Sequence, residues 1–234
     1  MKKDTLHHNH SVESHKACVS LVPIFNHLED EQLNEIMGTT HSVSYQKHEL
    51  IYHAGDESNA LYIINKGKVR IYRLSESGKE QLVRILNPGD FTGEMALFSE
   101  STHETYAEAM ADTKICMINR LDLQEFLMKY PSISLKILAE FSHRLDASEK
   151  QSSRFATEKV DTRIALFLVD YLDKEIAGTD ELTLPMSKKD LASYLGTTPE
   201  TISRKFNELE DRGYIKQLTH KQIRIVDLDG LLFV

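Results

Sequence analysis

The sequence predicts an α+β chain: an N-terminal β-barrel, one long helix, and a C-terminal winged helix-turn-helix. Three observations predict it. First, Gly55, Gly67, Gly78 and Gly89 recur at spacings of 12, 11 and 11 between apolar runs, the regular turn signal of an all-β sandwich or barrel. Second, a stretch opening at Pro131 carries Leu138, Phe141, Leu145, Ser148, Ser152 and Phe155 at alternating steps of three and four, a coiled-coil spacing. Third, residues 187–226 run through helix, glycine turn, polar second helix and hairpin signals in that order.

Residues 1–20 are polar and hold four histidines, with no apolar stretch of the signal-peptide kind. They read as a mobile tail. Leu28, Leu33, Ile36 and Met37 have near-helical spacing, so Pro23 to Met37 reads as a short helical entry. Strands follow at Leu50-Ile51-Tyr52, Leu61-Tyr62-Ile63-Ile64, Val69-Arg70-Ile71-Tyr72 and Gln81 to Leu86, then Tyr106–Met110 and Lys114–Ile118. Leu121 to Met128 reads as a short helix, and Pro131 fits the first turn of the long one. Its narrow apolar stripe, flanked by Glu140, Arg144, Asp146, Glu149 and Lys150, suits a seam between two copies of the chain; the bland alternative is a helix lying on its own barrel. Arg154 to Lys159 reads as a hinge, Val160 to Ile176 as helix and Leu182 to Leu184 as a small strand. The domains predicted are 1–20 (tail), 21–130 (barrel), 131–157 (dimerisation helix and hinge) and 158–234 (winged helix-turn-helix).

The chain has 234 residues, a net charge of −8 and two cysteines. Two cysteines are too few for a disulfide-stapled secreted scaffold, and no run approaches the roughly 18 apolar residues of a membrane span. A cytoplasmic protein with no membrane partner is expected. The acidic total does not exclude nucleic acid, because a basic surface can sit on an acidic chain. Leu184 to Gln222 holds seven basic and five acidic side chains, a mild excess of the right sign.

Within that stretch Ser187 can cap a helix whose Leu191, Ala192 and Leu195 face inward. Gly196 permits the turn, Thr198 caps a second helix and Pro199 fits its first turn. Ile202, Phe206 and Leu209 recur at steps of four and three and face inward. The other face presents Glu200, Thr201, Ser203, Arg204 and Lys205. Arg204 can fork onto guanine O6 and N7, and Glu200 can accept from a cytosine amino group. Lys188, Lys189, Lys205 and Lys221 suit phosphates. Tyr214 to Lys216 and Ile223 to Val226 can pair as the wing, with Thr219-His220-Lys221 at its tip. A helical hairpin for protein contact is the alternative. No Walker-type loop, Gly-x-Ser-x-Gly elbow or His-Glu-x-x-His is found, so no enzyme is expected.

This order of parts resembles the CRP/FNR superfamily of bacterial transcription regulators over residues 20–230. The residues that carry the likeness are Gly55 through Gly67 around Leu61-Tyr62-Ile63, Pro88-Gly89-Asp90-Phe91 followed by Gly93-Glu94, and Glu200-Thr201-Ile202-Ser203-Arg204. The resemblance implies a cyclic-nucleotide-binding-type β-roll (a jelly-roll barrel) and a homodimer on double-stranded DNA, with RNA polymerase as a candidate further partner. The Glu…Ser-Arg combination resembles the FNR-like branch, which reads TTGA-type half-sites. Pro199 stands where the cyclic-AMP-dependent branch has an additional base-reading arginine.

Gly93-Glu94-Met95 matches the family's phosphate-binding segment. An arginine and a serine or threonine follow eleven and twelve residues after that glycine in the family; Glu104 and Thr105 stand there in this chain. One charge contact at 4 Å is worth roughly 4 kcal/mol at an effective dielectric near 20, and a carboxylate reverses its sign. Cyclic AMP is therefore not expected, and no cofactor is. An iron–sulfur cluster takes four thiolates, and Cys18 is the one cysteine near the N-terminus. FNR-like proteins of Gram-positive bacteria that carry such a pair make a redox-sensing disulfide between Cys18 and Cys116 a candidate; the alternative is a small buried Cys116 and an idle Cys18. His7, His8, His10 and His15 with Cys18 offer metal-binding atoms but match no structural zinc spacing. A different class of reading is a cyclic-nucleotide-type module that acts on a protein partner.

Overall fold

A computed structural model describes residues 19–97, 101–172 and 179–234. Helix α1 (Asp30–Gly38) buries Leu33, Ile36 and Met37, so the helical entry is shorter than the spacing implied. Residues 21–28 form turns, and Leu28 is buried without being helical.

The strands β1 (His41–Tyr45), β2 (Leu50–Tyr52), β3 (Glu57–Ser58), β4 (Ala60–Lys66), β5 (Val69–Leu74), β6 (Glu80–Leu86), β7 (Phe91–Thr92), β8 (Ser101–Thr102), β9 (Tyr106–Ala109) and β10 (Thr113–Asn119) follow. They pair in the orders β1-β10-β4-β7 and β2-β9-β5-β6, with β3 on β8. Pairing is antiparallel: β10 sets Cys116 opposite Ile63 on β4 and opposite Ser42 on β1, and β5 sets Ile71 opposite Ala107 on β9. Side chains alternate across a strand, and β4 shows what that does here. Leu61 and Ile63 enter one core with Ile24, Phe25, Ile36, Phe91 and Cys116. Ala60, Tyr62 and Ile64 enter another with Tyr52, Val69, Ile71 and Ala107. Burial on both faces explains why β4 reads as a continuous apolar run; each fully buried Ile or Leu contributes roughly 1.5–3 kcal/mol.

Helix α2 (Arg120–Lys129) adds Leu123 and Phe126 to the first core, and the start of α3 (Pro131–Thr157) adds Ile133 and Ile137. Phe141, expected on the seam, is partly buried and packs against that core. The stripe left exposed on α3 runs through Leu135 (70% exposed), Leu138 (58%) and Leu145 (61%). Leu135 lies one helical turn before the repeat that opens at Leu138 and extends it toward the helix start. The helix also runs four residues into the expected hinge and ends at Thr157.

Helix α4 (Val160–Leu172) buries Ile164, Ala165, Phe167 and Leu168; the expected continuation to Ile176 lies outside the described residues. Strand β11 (Glu181–Thr183) pairs with β13 (Gln222–Ile225), which pairs with β12 (Ile215–Gln217). Between them lie α5 (Lys188–Tyr194) and α6 (Pro199–Asp211), and α7 (Leu228–Leu232) closes the chain. Two compact units result, one of the residues up to Gly78 with Val83–Arg144, the other of Lys79–Leu82 with Leu145–Val234. Among the described residues no helix is long and apolar enough to cross a membrane.

Candidate nucleic-acid interface and barrel cavity

Helix α6 is fixed from below and free above. The Thr198 hydroxyl accepts from the Thr201 N–H at 3.3 Å and caps the helix, and Pro199 occupies its first turn. Ile202, Phe206 and Leu209 are buried. In α5, the Ser187 hydroxyl accepts from the Asp190 N–H at 3.1 Å, and Leu191, Ala192 and Leu195 are buried beneath α6.

The face opposite the core holds the expected base readers. Glu200, Ser203 and Arg204 are exposed and Thr201 is half-buried. Arg204 has a loose neighbour in Glu208 at 3.8 Å. The Glu200 carboxyl lies below its usual range, because its own backbone N–H and the Thr198 hydroxyl donate to it; it is therefore ready to accept a further donor as an anion. Lys189 and Lys221 are exposed. Lys205 and Lys188 differ from these. Lys205 Nζ lies 2.7 Å from Glu208 and 3.3 Å from Asp161. Lys188 Nζ donates to Gln217 at 2.8 Å and sits 5.0 Å over the Phe206 ring, and burial lowers its pKa. A phosphate at either lysine competes with partners already in place.

The barrel encloses a cavity of about 330 Å³ lined by segments from β2 to the loop before β9. Gly93 turns the chain into it at φ +82; a Cβ there would strike the Ala60 carbonyl and come within 2.8 Å of the Tyr62 ring. Glu94 is buried and takes Arg84 Nη2 at 3.2 Å and Arg144 Nη1 at 2.9 Å on one oxygen. Arg144 also reaches the Phe91 carbonyl at 3.2 Å and Glu140 at 2.8 Å, which ties α3 to the cavity wall. Met95 is exposed.

Glu104 does not project a bare carboxylate into this space. It is exposed and paired with Arg73 at 2.6 Å. Thr105 hydrogen-bonds Tyr52, whose hydroxyl meets Thr92 at 2.9 Å. Sequence reasoning missed Arg73, Arg84, Tyr52 and His103, since none belongs to a motif. His103 stacks on Tyr52 with centroids 3.7 Å apart and planes 7° apart. Burial lowers its pKa, against the pull of Asp56 and Glu94, while burial pushes Tyr62 up to about 12. Five residues that line the cavity each hold a buried polar atom with no hydrogen-bond partner among the described residues: Ser58 Oγ, Arg84 Nε, Glu94 Oε2, Ser101 Oγ and His103 Nε2. Buried polar atoms are normally satisfied, so these five call for partners that the described residues do not supply.

Cys116 is fully buried on β10, 3.8 Å from the Ser42 hydroxyl, and it is disulfide-bonded. Cys18 and the tail histidines lie outside the described residues. Ser148 and Ser152 are exposed on α3. Phe155 has the Arg163 guanidinium 5.1 Å from its ring centroid. Among the described residues no cluster of metal-ligating side chains is present.

Residues 42–130 match the cyclic nucleotide-binding domain family and residues 162–233 the Crp-like helix-turn-helix domain family. The chain is 34% identical to the "Probable transcriptional regulator flp" of Lacticaseibacillus casei over 215 residues, 92% of this chain and 96% of that protein. It is 30% identical to the anaerobic regulatory protein of Haemophilus influenzae over 210 residues, 88% of this chain and 80% of the relative. Among solved structures, FixK2 from Bradyrhizobium japonicum superposes with a TM-score of 0.71 at 28% identity, covering 82% of this chain and 95% of its own. By these likenesses the chain belongs to the CRP/FNR family of DNA-binding transcription regulators.

Proposed function

We propose that the chain works as a homodimer that reads a near-palindromic, FNR-like site of TTGA-type half-sites. The observation that carries this reading is the free face of α6, where Glu200, Ser203 and Arg204 stand exposed on a helix whose opposite side is core. Thr198 and Thr201 hold the helix start, and Lys189 and Lys221 suit flanking phosphates, with Lys188 and Lys205 as support for the fold. Leu135, Leu138 and Leu145, continued by Ser148 and Ser152, form the stripe on α3 on which a second copy would pack. Two recognition helices then lie about 34 Å apart, one turn of DNA. The effector is neither cyclic AMP nor an iron–sulfur cluster: no arginine stands at position 104, Glu94 occupies Arg84, and the two cysteines of one chain cannot supply four thiolates. RNA polymerase is a further partner, and the cytoplasm the compartment.

A Cys18–Cys116 thiol switch is part of the proposal. It is supported by the disulfide at Cys116, by Cys18 being the only other cysteine in the sequence, and by the likeness to an anaerobic regulatory protein. Cytosolic disulfides are usually regulatory. DNA-site selection with reduced and oxidised protein tests the whole reading. A two-fold symmetric site whose affinity changes with redox state is expected. An asymmetric site overturns the dimer, and identical affinities overturn the switch. The rival, a module acting on a protein partner, predicts no selected site at all.

A further inference from the structure

The second unit holds a cavity of about 510 Å³ lined by none of the proposed base-reading residues. That volume lies within the roughly 300–1,000 Å³ of small-molecule sites. Its walls come from three helices. From α3 come Ala147, Gln151 and Phe155 at steps of four, with Lys150 and Arg154 beside them; from α4 come Arg163, Phe167 and Asp170; Tyr194 and Leu195 close it from the end of α5.

Its wall is aromatic and its rim is cationic. Phe167 meets Tyr194 edge-on with centroids 5.8 Å apart, and burial raises the Tyr194 pKa, which keeps that hydroxyl neutral. Three cations and two carboxylates line the space. Lys150 is held by Asp146 at 2.8 Å, and Arg154 by Asp170 at 2.5 Å. Arg163 is different: among the described residues it has no carboxylate within ion-pair distance, its Nε is buried without a hydrogen-bond partner, and its guanidinium rests on the Phe155 ring. An unmet guanidinium donor beside aromatic faces in a half-closed space favours a planar anion, because a carboxylate accepts from a guanidinium fork while its ring stacks.

We propose that this cavity binds a small aromatic carboxylate, with Arg163 as its anchoring cation and Phe155, Phe167 and Tyr194 as its walls. The occupant lies beside the Glu158–Lys159 joint and touches both α3 and α4, so it braces one helix against the other. This site is separate from the barrel cavity and does not depend on which effector the barrel takes.

The test is fluorine NMR of the full-length protein with 4-fluorobenzoate as probe and 4-fluorobenzylamine as its cationic counterpart. Saturable broadening of the benzoate signal and none of the amine signal is expected. Arg163→Met weakens binding about tenfold or more, the factor carried by one charge-assisted hydrogen bond, whereas Arg163→Lys retains most of it. Arg73→Met, at the exposed edge of the barrel cavity, leaves the titration unchanged. If Arg163→Met does not fold, as judged by its circular dichroism, Arg163→Lys and Phe155→Leu carry the test, the latter weakening binding by removal of one wall. Absence of saturable benzoate binding, equal binding of the amine, or loss of binding in Arg73→Met rather than in Arg163→Met or Phe155→Leu overturns the proposal.

Discussion

On α6, Glu200, Ser203 and Arg204 stand in solvent; in the barrel, Ser58, Glu94, Ser101 and His103 hold buried polar atoms that no described residue meets. In the proposed function both are recognition surfaces, and they solve different problems. DNA comes to the protein as a large rigid object, so its readers need exposure and a firm base. A small effector must be surrounded, so its readers need burial and open valences. A side chain on the helix can therefore be changed at little cost to the fold, while one in the cavity cannot be changed without disturbing partners such as the Arg84–Glu94–Arg144 chain. That difference orders the following tests.

The largest effect is expected beneath the reading face. Phe206 is fully buried and carries the Lys188 ammonium on its ring. Phe206→Ala loses about 3–5 kcal/mol through transfer and cavity terms, and DNA affinity falls with it. Urea unfolding followed by circular dichroism measures the loss; a change below about 1 kcal/mol would falsify the claim that α6 is held from below.

Arg204→Ala is expected to leave the unfolding midpoint unchanged, since the side chain is 67% exposed. Discrimination at one base pair drops by about 1–3 kcal/mol, read as binding to sites substituted at each position in turn. Affinity for all sites should also fall steeply with salt. Uniform weakening across all sites, without relaxed specificity, would reassign Arg204 to a phosphate.

Thr198→Ala is intermediate. The hydroxyl caps α6 through the Thr201 N–H and also donates toward Glu200. Loss of the cap costs about 0.5–2 kcal/mol. Thr198→Ser should restore it in the same denaturation experiment, and failure of that rescue would point to a packing role for the methyl group.

How much of each region was legible beforehand follows from the same difference. The reading helix is one continuous segment, so Ser187, Gly196, Thr198, Pro199 and the Ile202-Phe206-Leu209 spacing could be read in a line, and all fall where that spacing implied. Strand β4 was legible as apolar but not as a strand buried on both faces. The barrel cavity is assembled from pieces far apart in the chain: Tyr52 and Ser58, Ile71 and Arg73, Arg84, Gly93 and Glu94, then Ser101 to Thr105. No local pattern joins Arg73 to Glu104 or Arg84 to Glu94. For that reason Glu104 reads as a bare charge in the sequence, whereas Arg73 pairs with it at the surface of the folded chain. Phe141 shows the same limit on α3, where heptad spacing cannot tell a seam from a helix's own core.

The smallest effect expected belongs to the cavity, and it sets the two regions apart by pH. His103 is buried against Tyr52 and its pKa is lowered from 6.5 by that burial. The folded protein therefore holds the ring neutral where the unfolded chain would already be protonated. Between the folded value and 6.5 the unfolded state binds more protons, so stability rises with pH across that window. The contribution is full above about 6.5 and is lost as pH falls through the lower, folded value. Asp56 and Glu94 oppose this by favouring the protonated ring, and they keep the effect small. His103→Phe keeps a flat ring on Tyr52 but cannot take a proton. Its melting temperature should fall less than that of the unaltered protein between pH 7 and pH 5. Equal losses in both proteins would show that acid acts elsewhere, and would leave the open His103 Nε2 as an acceptor for ligand rather than a site of acid sensitivity.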